Sequence, residues 1–361
     1  MIKFLHAADF HLDAPFSTLS EAAARQRRQE QRQAVRDLCA LCDREGCDLM
    51  LLSGDLFDSD NAFPDTIECL LSSFAACRAR IFISPGNHDY FTSDSAYETA
   101  EWPENVHIFK KSSVEAVELP ELRCAVYGAA FSSMDSAALL EDFSVRDPEL
   151  CNLMVLHGEL KPGSCYNPIT ETQIAASGLD YLALGHVHQH GGLCRAGKTA
   201  YAWPGCLMGR GFDELGEKGC LVGRVGKGFC AAEFVPIPGR RYEILRVRAG
   251  NDPLAAIRAA MPADTAQHIY RVYLDGESET PDTRALYRAL AGDFFGLTVL
   301  DCTTPPVDLW QGCGEETLRG QFLQELKARY DSATSDGTRR ATARAARLGL
   351  AAMEGREVPE L

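Results

Sequence analysis

Along the first 190 residues, short apolar runs alternate with longer amphipathic stretches, and each run stops at a cluster of polar side chains. Residues 2–7 read as a strand ending at Ala8-Asp9-Phe10-His11. Residues 20–45 read as a helix, opened by Ser20 as N-cap and closed near Gly46. The run 48–52 predicts a second buried strand, followed by Ser53-Gly54-Asp55-Leu56-Phe57-Asp58. A helix is expected at about 63–78, then a strand at 80–83 that delivers the tight turn Ser84-Pro85-Gly86-Asn87-His88-Asp89. Two further apolar runs, 151–156 and 181–184, stop at His157 and at Gly185-His186-Val187-His188. Strand, helix, strand in succession argues for a mostly parallel sheet with helices outside, where functional groups collect past the carboxyl ends of the strands.

From about residue 105 the pattern shortens to strands at close spacing: 106–109, 113–119 and 122–130, then 191–202, 219–225 and 229–236. These predict a second, largely antiparallel sheet facing the first. Pro236-Ile237-Pro238-Gly239 marks a boundary, after which strand 242–248, helix 252–261, strand 268–274, helix 281–292 and strand 296–302 make a small α/β unit. Thr303-Thr304-Pro305-Pro306 ends it. The remainder reads as helical. Leu318, Phe322, Leu326 and Tyr330 recur every four residues as an apolar stripe. A second helix from about 338 carries Arg340, Arg344 and Arg347 on one side. The expected division is a catalytic domain over 1–238, an α/β cap over 239–306 and a helical tail over 307–361. The stripe is either a docking face for a partner or a face packed on the protein's own domains.

Charge narrows the choice of partners. Against 36 basic side chains stand 51 acidic ones, and 12 of the 15 excess negative charges fall in residues 1–240. That balance argues against broad non-specific binding to nucleic acid, though not against a local groove whose field bound metal ions reverse. Arg25, Arg28, Arg32 and Arg36 share one helix face, which reads as a solvated face. The 14 cysteines follow no secreted-type spacing and no long apolar span occurs, so free thiols in a reducing cytosol are expected, with a cytoplasmic location and no membrane contact. Cys39 and Cys42 form a C-x-x-C, yet they lie beside Val35, Leu38 and Leu41 on an apolar helix face and read as buried thiols.

The candidate chemistry lies at the five strand ends. They supply Asp9 and His11, Asp55, Asn87, His157, and His186 with His188: seven oxygen and nitrogen donors and no thiolate. Such a set suits divalent ions such as Mn²⁺, Fe²⁺ or Zn²⁺, and seven donors suit two ions sharing a carboxylate. In D-x-H and H-x-H, an extended backbone would turn alternate side chains the same way. The other histidines, His6, His107, His190 and His268, have no such context and read as ordinary core or surface imidazoles.

D-x-H, G-D-x-x-D, G-N-H-D, H-G and G-H-x-H in this order resemble the calcineurin-like metallophosphoesterases. His6-Ala7-Ala8-Asp9-Phe10-His11-Leu12-Asp13-Ala14-Pro15-Phe16, Tyr166-Asn167-Pro168-Ile169, Pro204-Gly205, Gly209-Arg210 and Glu217-Lys218-Gly219 are similar to DNA-repair exonucleases of the SbcD and YhaO type. The resemblance implies an α/β fold of two facing mixed β-sheets flanked by helices in four layers, followed by a small α/β cap and a helical tail. It implies two divalent ions, most often Mn²⁺: one on Asp9, His11, Asp55 and His188, the other on Asp55, Asn87, His157 and His186, with Asp55 bridging. It implies that His88 steadies or protonates the leaving oxygen and that Asp58 orients it. It implies a DNA substrate, an SbcC-like or YhaN-like ABC-type ATPase partner docked on the tail, and a dimer. The alternative activity is phosphoesterase action on nucleotides or phosphoproteins.

Overall fold

The apolar alternation of the first strand sets up two cores at once. In the computed structural model, β1 (Ile2–Ala7) turns Leu5 and Ala7 to one side and Ile2 and Phe4 to the other, and both faces are buried. The structure describes residues 1–59, 62–278, 281–304, 308–353 and 355.

In chain order β1 leads to α1 (Glu21–Glu45), β2 (Leu49–Leu52), α2 (Pro64–Ala76), β3 (Arg80–Ile83), α3 (Ala96–Thr99), β4 (Val106–Ile108), β5 (Glu115–Leu119), β6 (Cys124–Gly128) and β7 (Cys151–His157). Then come α4 (Glu171–Ala176), β8 (Tyr181–Gly185), β9 (Cys194–Ala196), β10 (Thr199–Ala202), β11 (Gly219–Gly226) and β12 (Phe229–Pro236). The rest is β13 (Tyr242–Arg248), α5 (Pro253–Ala260), β14 (Ile269–Asp275), α6 (Thr283–Leu290), β15 (Gly296–Asp301), α7 (Leu318–Ser332) and α8 (Asp336–Met353).

Two six-stranded mixed sheets carry the first part of the chain: β12-β11-β1-β2-β3-β4 and β5-β6-β7-β8-β10-β9. Leu5, Met50, Leu52, Ile81 and Ile83 pack against Val35, Leu38 and Leu41 of α1 and Leu70 and Phe74 of α2. Phe4, Leu49, Leu51 and Phe82, on the opposite face, meet Val126, Leu153, Val155 and Ala183 of the second sheet. The outer face of that sheet is covered by Leu140, Ile169 and Ile174. The result is helix, sheet, sheet, then loops with α4, each interface a continuous apolar layer.

The second sheet is not largely antiparallel, contrary to the expectation from spacing. β6, β7, β8 and β10 run parallel, and only β5–β6 and β9–β10 are antiparallel. Long connections over 129–150 and 158–180 return the chain to the same end of the sheet, and β9, between β8 and β10 in the chain, brings it back there, whereas the antiparallel pairs are joined by short turns. β4, β11 and β12 belong to the first sheet instead. α4 was not expected either; a capping box between Thr170 and Gln173 starts it.

α1 opens on Ser20, whose side chain accepts from the Ala23 amide, and closes at Gly46 with φ 62°. Its arginines turn to protein partners: Arg25 to Glu21, Arg28 to the Pro15 carbonyl, Arg32 to Thr66 and Arg36 to Gln33. Cys39 and Cys42 are buried and all 14 cysteines are free. No described helix is long and apolar enough to cross a membrane.

The chain divides into two compact units: Met1–Leu245 with Pro262–Val272 and Ala289–Thr298, and Arg246–Met261 with Tyr273–Arg288 and Val299–Leu361. β13, β14 and β15 form a third sheet in that order. Within the second unit α7 and α8 enclose Leu323, Ala346 and Leu350, with Phe322, Leu326, Leu309 and Trp310 packed around them. Tyr330 faces Trp310 at 5.4 Å between ring centres. Of the predicted stripe only Leu318 stays exposed, at 76%.

Candidate metal centre

Parallel pairing puts the ends of β1, β2 and β3 at one edge, and hydrogen bonds continue past the strands to lock the loops there. Asp9 N–H donates to the Gly54 carbonyl at 3.0 Å, and His11 N–H to the Asp55 carbonyl at 2.9 Å. In the second sheet His157 pairs with Gly185 across β7 and β8. The His186 amide then donates to the Asp9 carboxylate at 3.0 Å, tying the two edges together. A side chain on Gly185 would collide with the Ser53 carbonyl, and one on Gly86 with the Asp55 carboxylate. Both glycines are there because backbone from two loops meets at contact distance.

All seven predicted donors converge. Asp9, His11, Asp55, Asn87 and His157 are buried, and His186 and His188 are half-buried. His11 Nε2 lies 3.2 Å from His188 Nε2 and 3.6 Å from Asp55 Oδ2. His188 Nε2 stands 3.8 Å from Asp9 Oδ1. On the other side His157 Nε2 is 2.9 Å from Asn87 Oδ1, 3.3 Å from His186 Nδ1 and 3.4 Å from Asp55 Oδ2. Asp55 therefore sits between two sets: Asp9, His11 and His188, and Asn87, His157 and His186.

The period-two reading of D-x-H and H-x-H does not hold. Asp9 and His11 take φ of 54° and 44°, and His186 takes φ of 91°. The left-handed kinks, not an extended strand, aim Asp9 and His11 inward. The kink at His186 sends it and His188 to different sets.

The arrangement fits divalent cations. His157 Nδ1 donates to the Ser53 carbonyl at 2.9 Å and His188 Nδ1 to Glu214 at 2.7 Å, so each ring turns an Nε2 lone pair toward the carboxylates. Ring nitrogens facing one another at 3.2 and 3.3 Å need either a shared proton or a cation between them. Donor atoms of Asp9, His11 and His188 lie within 4.8 Å of one another, as do those of Asp9, Asp55 and His157. Burial pushes Asp55 up, but His157, His11 and His88 with its amide together outweigh it and hold the carboxyl below its usual range. Burial beside His157 lowers His186 and keeps it neutral. Both are the protonation states a metal ligand needs.

His88 is exposed at the edge of this cluster, and its amide donates to Asp55 Oδ1 at 2.9 Å. Its Nδ1 contacts the main-chain carbonyl of Asp58 at 3.3 Å, not the carboxylate the sequence had suggested. The Asp58 carboxylate faces His11 Nδ1 at 3.2 Å without the alignment of a hydrogen bond, and accepts from Arg210 at 2.8 Å.

Several supporting residues escaped the sequence reading. Glu214 holds His188 and also accepts from Arg210 at 2.8 Å, and only the tertiary fold brings this isolated loop glutamate there. Asn167 donates to the His157 carbonyl at 2.8 Å from a buried left-handed position; its Asn-Pro dipeptide was a usable turn signal. The Tyr166 ring lies 4.9 Å from that of His186. Asp89, grouped with Asn87 and His88 in sequence, turns away. It accepts from the amides of Gly86, Asp55, Leu56 and Phe57 and from the Tyr97 hydroxyl, so it shapes the loops instead of facing the cluster.

Two facing mixed sheets gather histidine, aspartate and asparagine side chains at their carboxyl edge, a donor set suited to two divalent ions. Residues 2–190 match the family model of calcineurin-like phosphoesterases, and the chain belongs to that family. The metallophosphoesterase YhaO of Bacillus subtilis is 32% identical over 267 residues, which span 70% of this chain and 63% of the relative's length. Among solved structures, the Thermus thermophilus protein TT1561 aligns over 64% of this chain and 98% of its own, at 11% identity and a TM-score of 0.41. A dimetal phosphatase from Danio rerio aligns over 66% and 99%, at 11% identity and a TM-score of 0.39.

Proposed function

We propose that the chain is a two-metal phosphodiesterase that cuts DNA, a nuclease of the SbcD and YhaO type. The observation that carries the reading is His88, exposed and pinned by its own amide to the carboxylate shared between the two donor sets. An imidazole so placed reaches an oxygen leaving from phosphorus at the cluster, and a diester's alkoxide leaving group gains from a proton there. When bound, the two ions supply charge for the phosphoryl oxygens and a water nucleophile at neutral pH. Asp55 and Asn87 set where the phosphorus lies, the Asp9 and Asp55 side chains face inward, and Glu214 holds the His188 ring. Mn²⁺ is the proposed ion on the same family resemblance; the mixed oxygen and nitrogen set also suits Fe²⁺ and Zn²⁺.

The motif run through Tyr166-Asn167-Pro168-Ile169 and Gly209-Arg210 supports DNA as substrate. On the same resemblance we propose an ABC-type ATPase partner, a dimer and a cytoplasmic setting. The face formed by α7 and α8, where Leu318, Leu348 and Met353 are exposed, is the surface that partner would use.

Metal-loaded protein should cleave single- or double-stranded DNA, and Asp55→Ala should lose both ions and all cleavage while staying folded. Elemental analysis finding two tightly held ions in Asp55→Ala would remove the bridging role. Turnover of nucleotide monophosphates with no cleavage of DNA would replace the nuclease reading.

A further inference from the structure

The metal centre has a neighbour: a cavity of about 410 Å³ lined by Phe16, Asp58, Arg210, Phe212, Asp213 and Arg271. Asp58 and Arg210 belong to both places. Their other contacts are His11 at 3.2 Å and His188 at 3.2 Å, so the cavity opens directly beside the donor cluster.

Its two guanidinium groups differ in one respect. Arg210 is neutralised, donating to Asp58 and to Glu214 at 2.8 Å each. Arg271, on β14, has no hydrogen bond or ion pair among the described residues, and its buried Nε lacks a partner. Asp213 lines the same cavity but is exposed and forms no ion pair with it. The Arg271 guanidinium lies over the Phe212 ring, its central carbon 4.0 Å from the ring centre. Phe212 is itself braced edge-on by Tyr242 at 5.0 Å.

A half-buried cation without a counter-charge is costly to keep, all the more conspicuous in a chain of net charge −15. Stacking on an aromatic ring holds the guanidinium fork in one plane without using its N–H groups. Those groups remain free for an oxyanion, and the fork geometry matches two phosphate oxygens. The apolar walls, Phe16 and Phe212, suit the sugar or base that accompanies such a phosphate.

We propose that Arg271, held on Phe212, is a subsite for the phosphate next to the one being cut, so that the site takes a chain of at least two phosphodiesters. The proposal rests on the nucleic-acid reading above.

The test compares a short thymidine oligonucleotide with bis(p-nitrophenyl) phosphate, which carries a single diester and has no second phosphate to offer. For wild type, Arg271→Gln and Arg271→Lys, the ratio of kcat/KM on the two substrates is measured. Oligonucleotide affinity in EDTA is followed by fluorescence anisotropy over a range of salt. Arg271→Gln should lower the ratio about tenfold, chiefly through KM, and reduce the slope of log K against log salt by about 0.7. Arg271→Lys, keeping the charge without the fork, should fall between. A wild type that favours the oligonucleotide, with Arg271→Gln keeping the same ratio and slope, overturns the subsite alone. A wild type that cuts the chromogenic diester but no oligonucleotide overturns the nuclease reading and the subsite together.

Discussion

Asp9, His11, Asp55 and His186 all hold positive φ, a region that costs non-glycine residues on the order of 1–3 kcal/mol each. Four such positions in one cluster mean that the surrounding hydrogen bonds over-determine the loops, and Asp89 with its four amide donors is the main device. His88 stands apart from this scaffold. Its side chain is exposed and its amide, not its ring, touches Asp55. His88→Ala should therefore keep metal content near normal and lower kcat roughly a hundredfold or more on DNA. An unchanged kcat would remove the imidazole from the reaction.

His6 makes a different residue-scale prediction. Burial between the sheets pushes its pKa down to about 3, against a smaller upward pull from the main chain at Leu184. Its nitrogens pair with the Tyr181 hydroxyl at 2.8 Å and Ser53 Oγ at 3.1 Å. Between about pH 6.5 and 3 the unfolded chain takes up a proton that the folded one refuses. Stability from this group is thus complete above about pH 6.5 and falls as pH drops, by about 1.4 kcal/mol per unit. Urea unfolding of His6→Asn should show a pH slope shallower by one proton in that window. An identical slope would mean that His6 is already charged in the fold.

At the scale of elements, most strands and helices were legible because their signals are local. β1 and β3, α1 with its Ser20 and Gly46 caps, and α7 with its four-residue stripe lie close to where pattern and capping chemistry placed them. Strand partners were not legible, because pairing depends on which way a connection returns, and spacing alone made the second sheet look antiparallel. The stripe on α7 shows the same limit. Its period revealed an apolar face, but only the fold revealed that Phe322 and Leu326 pack with α8. Contact there is close enough that a side chain on Gly349 would collide with the Phe322 ring. Gly349→Leu should accordingly lower thermal stability, with a cost of about 1–3 kcal/mol, and leave metal content at the donor cluster of the other unit unchanged. Melting at the wild-type temperature would show that the two helices are not packed as described.

For the molecule as a whole, thiol reactivity reports how the cysteines are distributed. Of the 14, ten are buried, Cys194 and Cys313 are intermediate, and only Cys165 and Cys302 are exposed. Ellman's reagent should modify two thiols quickly in the native protein, two more slowly and ten only after unfolding. Rapid reaction of Cys39 or Cys42 would contradict their place in the layer between α1 and the first sheet.

What the sequence by itself determined is the inventory: which runs are buried, where they stop, and which donors stand at the stops. These features depend on neighbours a few residues apart, so the order Asp9, His11, Asp55, Asn87, His157, His186, His188 was readable as a metal-binding set. Only the tertiary structure decided the geometry, because it depends on contacts between residues far apart in the chain. Left-handed kinks replaced the expected extended backbone at Asp9 and His186, Asp58 turned its carboxylate to His11 and Arg210, and Glu214 arrived behind His188 from 26 residues away. Arg271 could be recognised as a cation with no ion-pair partner among the described residues only once the fold had placed their carboxylates around it.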